Sequence, residues 1–219
     1  MWAYSVFLLS SPDPISMEHL EVVDELTGQS LGMTLPRHQA IQEKAWCKST
    51  NIYVVNSQGQ VLCHQRSLGK ERWPGYWMTH LGGHVSAEET YETNAVKELE
   101  EEAGIKADIS EFIHWRTTRI PWARLWTKEF VILVDRDLAD LKAQPGEVEA
   151  FAWKHPEEII TEFNNKVGWC AGTLDFWTEY HCLRAALTAA QSQEAKHSQP
   201  ASNDMHTWHK MKVPYVATF

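Results

Sequence analysis

The apolar positions along the chain predict several short strands in its middle part. A β-rich run at 19–23 leads into a turn at Thr27-Gly28, and this combination predicts a hairpin arm. Further β-rich runs predict strands at 52–55, 60–66, 108–116, 125–134 and 147–154. The turn-forming segment 56–59 predicts that the first two of these strands form a hairpin.

Helical periodicity is found at three places. One helix is predicted over 87–103, a short one begins at Pro156, and a long one covers 173–190. Strands mixed with so few helices predict one α/β domain with a mixed sheet, because a regular βαβ array would need a helix between successive strands.

Both ends of the chain differ in composition from its middle. Residues 1–17 hold one short apolar run followed by prolines, which predicts an N-terminal extension with a short strand at 2–9. Residues 191–219 begin with a Ser/Gln-rich polar stretch, which predicts a flexible tail. The domain is therefore expected over 18–190. The chain contains no apolar run of membrane-spanning length and no recognisable signal peptide.

The segment 82–105 contains signals for the start and the end of a helix. Ser86 precedes Glu89 by three residues, which is the spacing of a capping box and predicts that the helix begins here. Gly104 follows the last helical residue and fits a C-terminal cap. The sequence therefore predicts a loop, a helix and a second loop in this order.

Three carboxylates lie on one side of this helix. At 100° per residue, Glu98, Glu101 and Glu102 fall within a sector about 100° wide. Like charges at this spacing repel one another, and a divalent cation would convert the repulsion into ligation. Oxygen ligands suit Mg²⁺, with Mn²⁺ as an alternative. The competing interpretation is a solvated, acidic helix face.

The spacing of these residues resembles the signature of the Nudix hydrolase superfamily, which is G-x5-E-x7-R-E-U-x-E-E-x-G-U with U an aliphatic residue. Lys97 stands where the signature has arginine, so the guanidinium fork is replaced by a single ammonium group. The matching residues are Gly83, Glu89, Glu98, Leu99, Glu101, Glu102, Gly104 and Ile105.

The resemblance implies an α/β/α sandwich and the hydrolysis of a diphosphate linked to another moiety. By position, Glu98, Glu101 and Glu102 would be the metal ligands, and one of them would also orient the attacking water. The carbonyl of Gly82 would be a further metal ligand. Lys97 would belong to the catalytic motif, with its effect on activity left open.

More of the chain, over roughly 18–185, resembles isopentenyl-diphosphate isomerases and their hydrolase-like relatives. In that resemblance, Arg66 and Lys70 would bind the substrate diphosphate, Trp177 would lie near the substrate, and Glu129 would be catalytic. Each residue has a plainer alternative. The two cations could be ordinary surface charges, Trp177 a core residue, and Glu129 a solvated residue at a strand end.

This chain departs from the isomerases at their reactive positions. Gly82 replaces the catalytic cysteine, and Ile41 and Cys47 occupy the expected positions of metal-binding histidines. His84 remains, either as a substrate-site residue or as a structural one. The resemblance therefore implies an isomerase-like scaffold that carries the glutamates of a hydrolase.

The loop before the helix is rich in aromatic residues. Trp73 and Trp77 are candidates for contact with the organic half of a substrate, because aromatic rings stack on planar groups. Most of the 11 tryptophans are expected in the core or at an interface, and exposed ones would favour a homodimer. The four cysteines include no CxxC pair, which favours reduced thiols and a cytoplasmic protein.

The net charge of −9 is concentrated in the predicted helix. Residues 88–102 hold seven glutamates and one lysine, a net −6, which leaves −3 for the rest of the chain. Such a chain is a poor ligand for a nucleic-acid polymer. The expected partner is a small organic diphosphate, of the nucleoside diphosphate type or another, cleaved in a Mg²⁺-dependent reaction. The alternatives are a catalytically weak binding or regulatory module and, third, an isopentenyl-diphosphate isomerase.

Overall fold

The computed structural model describes residues 18–165 and 168–170, together with Ala185 and Thr188. Three predictions fall on other residues: the extension at 1–17, the tail at 191–219 and most of the helix at 173–190, including Trp177. They stay predictions.

The described residues form eight strands and three helices. The strands are β1 His19–Val23, β2 Ser30–Pro36, β3 Cys47–Val55, β4 Val61–Arg66, β5 Trp77–Met78, β6 Ile113–Ile120, β7 Leu125–Leu133 and β8 Val148–Lys154. The helices are α1 Arg37–Gln42, α2 Tyr91–Ala103 and α3 Pro156–Asn164. No helix in this part of the chain is long and apolar enough to span a membrane.

The strands form a mixed main sheet and a separate hairpin. β1 and β2 pair antiparallel, as the run at 19–23 predicts. The main sheet has the order β5-β4-β3-β7-β6, and β8 pairs with β4. β3 and β7 are parallel, while the other pairs are antiparallel. The sheet is therefore mixed.

The predicted hairpin of β3 and β4 forms only at its closed end. Val55 and Val61 are the paired positions, and β4 then runs antiparallel to β8. The two strands separate because another segment binds the same edge of β3. There, Ile52 and Leu81 exchange backbone hydrogen bonds of 2.8 and 3.0 Å.

Each face of the sheet carries an apolar core. Along β3, Ile52 and Val54 pack in the cluster that includes Leu99 of α2, whereas Tyr53 and Val55 pack in the cluster that includes Ile159 of α3. Alternation along one strand thus supplies both cores. The arrangement confirms the α/β sandwich with helices on both sides.

The start of α2 differs from the prediction. The helix begins at Tyr91, where Thr90 and Thr93 cap each other, so the predicted start at 87 is wrong. Ser86 and Glu89 do interact, since the Ser86 N–H donates to Glu89 Oε2 at 3.2 Å, but this bond closes a turn ahead of the helix. The predicted end is confirmed, because Gly104 lies in the left-handed region with φ 67°.

The later strands agree with the sequence except for β6, which runs over Ile113–Ile120 and so starts and ends later than the predicted 108–116. β7 and β8 lie within a residue of their predicted bounds, and α3 begins at Pro156. The predicted strand at 108–116 starts instead at Ile113, because Asp108 caps a short 3-10 turn over Ile109–Glu111.

Candidate active site

The loop that precedes α2 is bound along β3 as a short extra strand. The Thr50 N–H donates to the Gly83 carbonyl at 2.9 Å, and the Val85 N–H donates to the Lys48 carbonyl at 3.0 Å. Together with the Leu81–Ile52 pair, these bonds fix the loop from 81 to 85 between the sheet and the helix. The loop backbone therefore lies against the carboxylates of α2.

Two consecutive glycines permit this close approach. Gly82 has φ 132°, and a Cβ there would lie 2.2 Å from the Thr50 carbonyl oxygen. At Gly83 a Cβ would lie 2.6 Å from Oε1 of Glu98. The first glycine is required by the backbone of β3 and the second by a helix carboxylate.

Glu98, which is half-buried, and Glu102, which is buried, form a pair of carboxylates beside this loop. Glu102 is 7% exposed and accepts a hydrogen bond of 2.9 Å from the Gly82 N–H. Burial, with the charge of Glu98, raises the pKa of Glu102 to about 8. Burial also raises the pKa of Glu98 to about 7, and Glu101 adds to the effect. The positive charges of Lys97 and Arg66 therefore do not offset the effect of burial on the pKa values of these two carboxylates.

The three predicted metal ligands do not share one environment. Glu101 is exposed, whereas Glu98 is half-buried and Glu102 is buried. Within the described part of the chain, no three His, Cys, Asp or Glu side chains are arranged to hold a metal ion. At Gly82 the amide faces Glu102, and the role of its carbonyl as a ligand stays a prediction.

Lys97 contacts another residue of the motif. Its Nζ lies 2.7 Å from Glu89 Oε1, and the same carboxylate accepts the Ser86 N–H. Lys97 thus ties the loop and the turn before α2 to the helix. In this structure the ammonium group of Lys97 therefore pairs with Glu89, and its predicted role in catalysis stays a prediction.

Asn94 is a site residue that the sequence interpretation missed. It is 0% exposed, and its Nδ2 lies 3.0 Å from the His84 carbonyl and 3.4 Å from Glu98 Oε1. Its spacing could have revealed it, because Asn94 stands four residues, about one helical turn, before Glu98. A polar residue at such a position is expected to have specific partners.

The two predicted diphosphate ligands have different surroundings. Arg66 donates from Nε to the Arg72 carbonyl at 3.1 Å, and its charge acts on Glu102, where it opposes the rise in pKa. Lys70 forms an ion pair with Glu147. The charge of Arg66 therefore acts on Glu102, whereas Lys70 would have to leave Glu147 to bind an anion.

The aromatic loop divides between the surface and the core. Trp73 is 49% exposed, has φ 54°, and packs against Tyr76 with ring centroids 5.2 Å apart. Trp77 packs against Trp169 at 6.1 Å, on the side of the sheet that carries α3. Trp73 is the tryptophan of this loop with a large exposed surface.

His84 is held in its neutral form. Burial lowers its pKa to about 4, and the charge of Arg37 acts in the same direction. The His84 carbonyl accepts a hydrogen bond from the Asn94 side-chain amide, so the backbone of His84 has a structural role.

Glu129 lies on β7 and is paired with an arginine of β6. It is 2% exposed, and Arg116 Nε lies 2.9 Å from its Oε2. By alternation it shares a strand face with Val131, which packs in the cluster on the side of α3. The guanidinium of Arg116 also stacks on Trp115 at 4.4 Å. Glu129 is therefore a buried, ion-paired residue, and its solvated alternative is excluded.

Comparisons with known proteins identify the family. A sequence model of the NUDIX domain matches residues 46–169. An uncharacterized Nudix hydrolase of Pseudomonas aeruginosa is 33% identical over 129 residues, which cover 59% of this chain and 75% of that protein. The chain belongs to the Nudix family, whose hydrolases cleave pyrophosphate-type bonds.

The relatives also include proteins named as isomerases. An isopentenyl-diphosphate Δ-isomerase of Corynebacterium efficiens is 29% identical over 126 residues, which cover 49% of this chain and 61% of that protein. Among solved structures, DR0079 from Deinococcus radiodurans aligns with a TM-score of 0.63 at 20% identity, covering 77% of this chain and 99% of that one. This last likeness shows the shared fold.

Proposed function

We propose that this protein is a Mg²⁺-dependent hydrolase that cleaves the diphosphate linkage of a nucleoside diphosphate-type or other organic diphosphate. The observation that carries the proposal is the carboxylate pair on the helix of the family motif, formed by the half-buried Glu98 and the buried Glu102. Burial raises the pKa of both, so a nearby cation would stabilise their ionised forms.

The donor set fits Mg²⁺, with Mn²⁺ as a substitute. Mg²⁺ in proteins is commonly held by one or two carboxylates, together with water and substrate phosphate oxygens. Glu98 and Glu102 would supply the carboxylates, and the exposed Glu101 would reach the same ion from the solvent side. Bound there, Mg²⁺ supplies charge neutralisation for the diphosphate and activation of the attacking water.

The protein's own groups would orient the substrate and move the proton. The Gly82 N–H fixes Glu102 through its hydrogen bond. Arg66, whose charge already acts on Glu102, would contact a phosphate oxygen of the substrate. One of the helix carboxylates would accept the proton of the attacking water. Lys70 would assist once the substrate competes with Glu147 for its ammonium group.

Two observations oppose an isomerase reaction. The backbone at Gly82 leaves no room for a Cβ, so a cysteine could not occupy this position without displacing β3. Glu129 is buried against Arg116, which holds it as an ion-paired carboxylate. The groups at these two positions are therefore unsuited to transferring protons to and from carbon.

A substrate screen tests the proposal. The purified chain is incubated with nucleoside diphosphate sugars, dinucleotides, nucleoside triphosphates, CoA esters and isoprenoid diphosphates, with Mg²⁺ or with EDTA. We expect phosphate-containing products from at least one class, in the Mg²⁺ arm alone. Tight binding without turnover of any class would contradict the proposal and favour a binding module, and conversion of isopentenyl diphosphate to its isomer would favour the isomerase.

A further inference from the structure

The carboxylate of Glu89 is held by two different side chains. Lys97 Nζ lies 2.7 Å from Oε1, and Asn94 Nδ2 lies 3.1 Å from Oε2. An arginine can hold both oxygens of a carboxylate with its planar fork, whereas a lysine offers one ammonium group. Here the amide of Asn94 donates to the oxygen that Lys97 does not contact.

The same amide connects Glu89 to the rest of the site. Its two N–H groups are shared among three acceptors, with the His84 carbonyl at 3.0 Å, Glu89 Oε2 at 3.1 Å and Glu98 Oε1 as the longest contact at 3.4 Å, and its Oδ1 accepts a hydrogen bond from Thr50 Oγ1. A single buried side chain therefore contacts the loop, β3 and a predicted metal ligand. A buried amide with several partners holds them in one relative geometry, because losing any of them leaves a polar group unsatisfied.

We propose that Asn94 is a positioning residue that supplies the second arm of the fork that Lys97 lacks. By joining Glu89 to Glu98, it fixes the carboxylate pair and the glycine loop in the geometry that binds the divalent metal. This inference rests on the proposed function. It explains how the motif tolerates lysine in place of arginine. Lys97 and Asn94 each contact one oxygen of Glu89, and together they make the two contacts that one arginine could make.

The test is a four-variant comparison of wild type, Asn94→Ala, Lys97→Arg and the double variant. Mn²⁺ affinity is measured by electron paramagnetic resonance, independently of turnover, and thermal unfolding is followed in parallel. We expect Asn94→Ala to weaken Mn²⁺ binding by about tenfold or more, as loss of a group that orients a ligand commonly does. Lys97→Arg should change little alone and restore most of the affinity in the double variant.

Asn56→Ala is the matched control. Asn56 is also a buried asparagine, but its side chain bonds to Gln60 and the neighbouring backbone in the turn after β3. The Asn56→Ala variant should have a lower melting temperature and an unchanged Mn²⁺ affinity. A merely structural Asn94 would behave as Asn56 does, and arginine at position 97 would not rescue it.

The outcomes distinguish the role of Asn94 from the proposed hydrolase function. Unchanged Mn²⁺ affinity in folded Asn94→Ala, or a loss that Lys97→Arg does not restore, overturns the inference while wild-type metal binding and turnover still support the proposed function. A wild type that binds no Mn²⁺ and shows no turnover overturns both. If Asn94→Ala does not fold, Asn94→Ser carries the same test, since its hydroxyl is too short to reach both carboxylates.

Discussion

At Gly82 and Gly83 the chain lies closer to its neighbours than a side chain would permit, but the neighbours differ. Gly82 faces the rigid backbone of β3, at the Thr50 carbonyl, whereas Gly83 faces the flexible carboxylate of Glu98. A substitution at the first position must displace a strand. A substitution at the second can be accommodated if Glu98 moves.

We therefore predict different losses for the two alanine variants. Gly82→Ala should lower the free energy of unfolding by at least about 2 kcal/mol, since it combines positive φ with a backbone clash. Gly83→Ala should cost less stability but weaken Mn²⁺ binding by about tenfold, because Glu98 is displaced. Denaturant unfolding and Mn²⁺ titration measure the two quantities.

Gly146→Ala is the control for the glycine pair. It has φ 81° with no atom within 4 Å of its Cβ position, so it isolates the strain of positive φ at about 1–2 kcal/mol. Equal behaviour of Gly82→Ala and Gly83→Ala would contradict the proposed difference between their surroundings.

The exposed ring of Trp73 gives a second prediction for a single residue. If it stacks on the organic half of the substrate, Trp73→Ala should raise KM by about tenfold or more and leave kcat largely unchanged. Trp122 is 50% exposed and lies in the turn between β6 and β7, so Trp122→Ala is the matched control. Steady-state kinetics on the best substrate measure KM and kcat for both variants, and Trp122→Ala should change neither. A fall in kcat at constant KM would argue against a stacking role.

Among the secondary-structure elements, α2 shows where the sequence is ambiguous. Both Ser86 and Thr90 have a partner three residues later, and local spacing does not decide between them. In the fold, the segment before Thr90 is bound to β3 and β1, since the Val85 N–H donates to the Lys48 carbonyl and the Ala87 N–H donates to the His19 carbonyl. Tertiary contacts therefore place the start of the helix one turn later than the sequence predicts.

The capping assignment is testable by stability. Thr90→Ala should destabilise the protein by about 1 kcal/mol, because the Thr93 N–H loses its acceptor. Thr161→Ala removes a hydroxyl from within α3, where it bonds to the Glu157 carbonyl, and should cost clearly less. Chemical denaturation measures both. An equal or smaller loss for Thr90→Ala would show that this cap contributes little.

The same element shows how much of the site the sequence could predict. Motif spacing identifies Glu98, Glu101 and Glu102, since they recur within one helix. Motif spacing does not predict that Glu101 is exposed. That difference depends on the loop from 81 to 85, which lies beside Glu98 and Glu102 because it is bound to β3, a strand from an earlier part of the chain. The ion pair of Lys70 with Glu147 is also non-local, so no local pattern could indicate it.

For the whole molecule, two histidines with buried ring nitrogens link stability to pH. Burial lowers the pKa of His64 to about 3 and that of His80 to about 4, and the Nδ1 atoms of both are buried without a hydrogen-bond partner. The folded protein holds them neutral, while the unfolded chain protonates them near pH 6.5. Their contribution is therefore unchanged above about pH 6.5, and stability is lost as the pH falls from there toward 4.

His64→Gln should reduce this acid sensitivity. Between pH 7.5 and 5, the wild type should lose about 2 kcal/mol more than the variant, since 1.5 pH units lie below the unfolded pKa of His64. His38 is exposed, and His38→Gln should leave the slope unchanged. Urea unfolding at several pH values checks the result. Equal slopes for wild type and His64→Gln would contradict a neutral, buried His64.

The measurement that tests the central claim most directly compares Glu102→Gln with Glu100→Gln at saturating Mg²⁺. Glu102 is the buried member of the carboxylate pair, whereas Glu100, on the same helix, is exposed and pairs with Lys106. We predict that kcat for the best substrate falls at least about 100-fold in Glu102→Gln and stays near wild type in Glu100→Gln. Turnover that depends on Mg²⁺ and survives Glu102→Gln unchanged would contradict the assignment of the metal and hydrolytic site to Glu98 and Glu102.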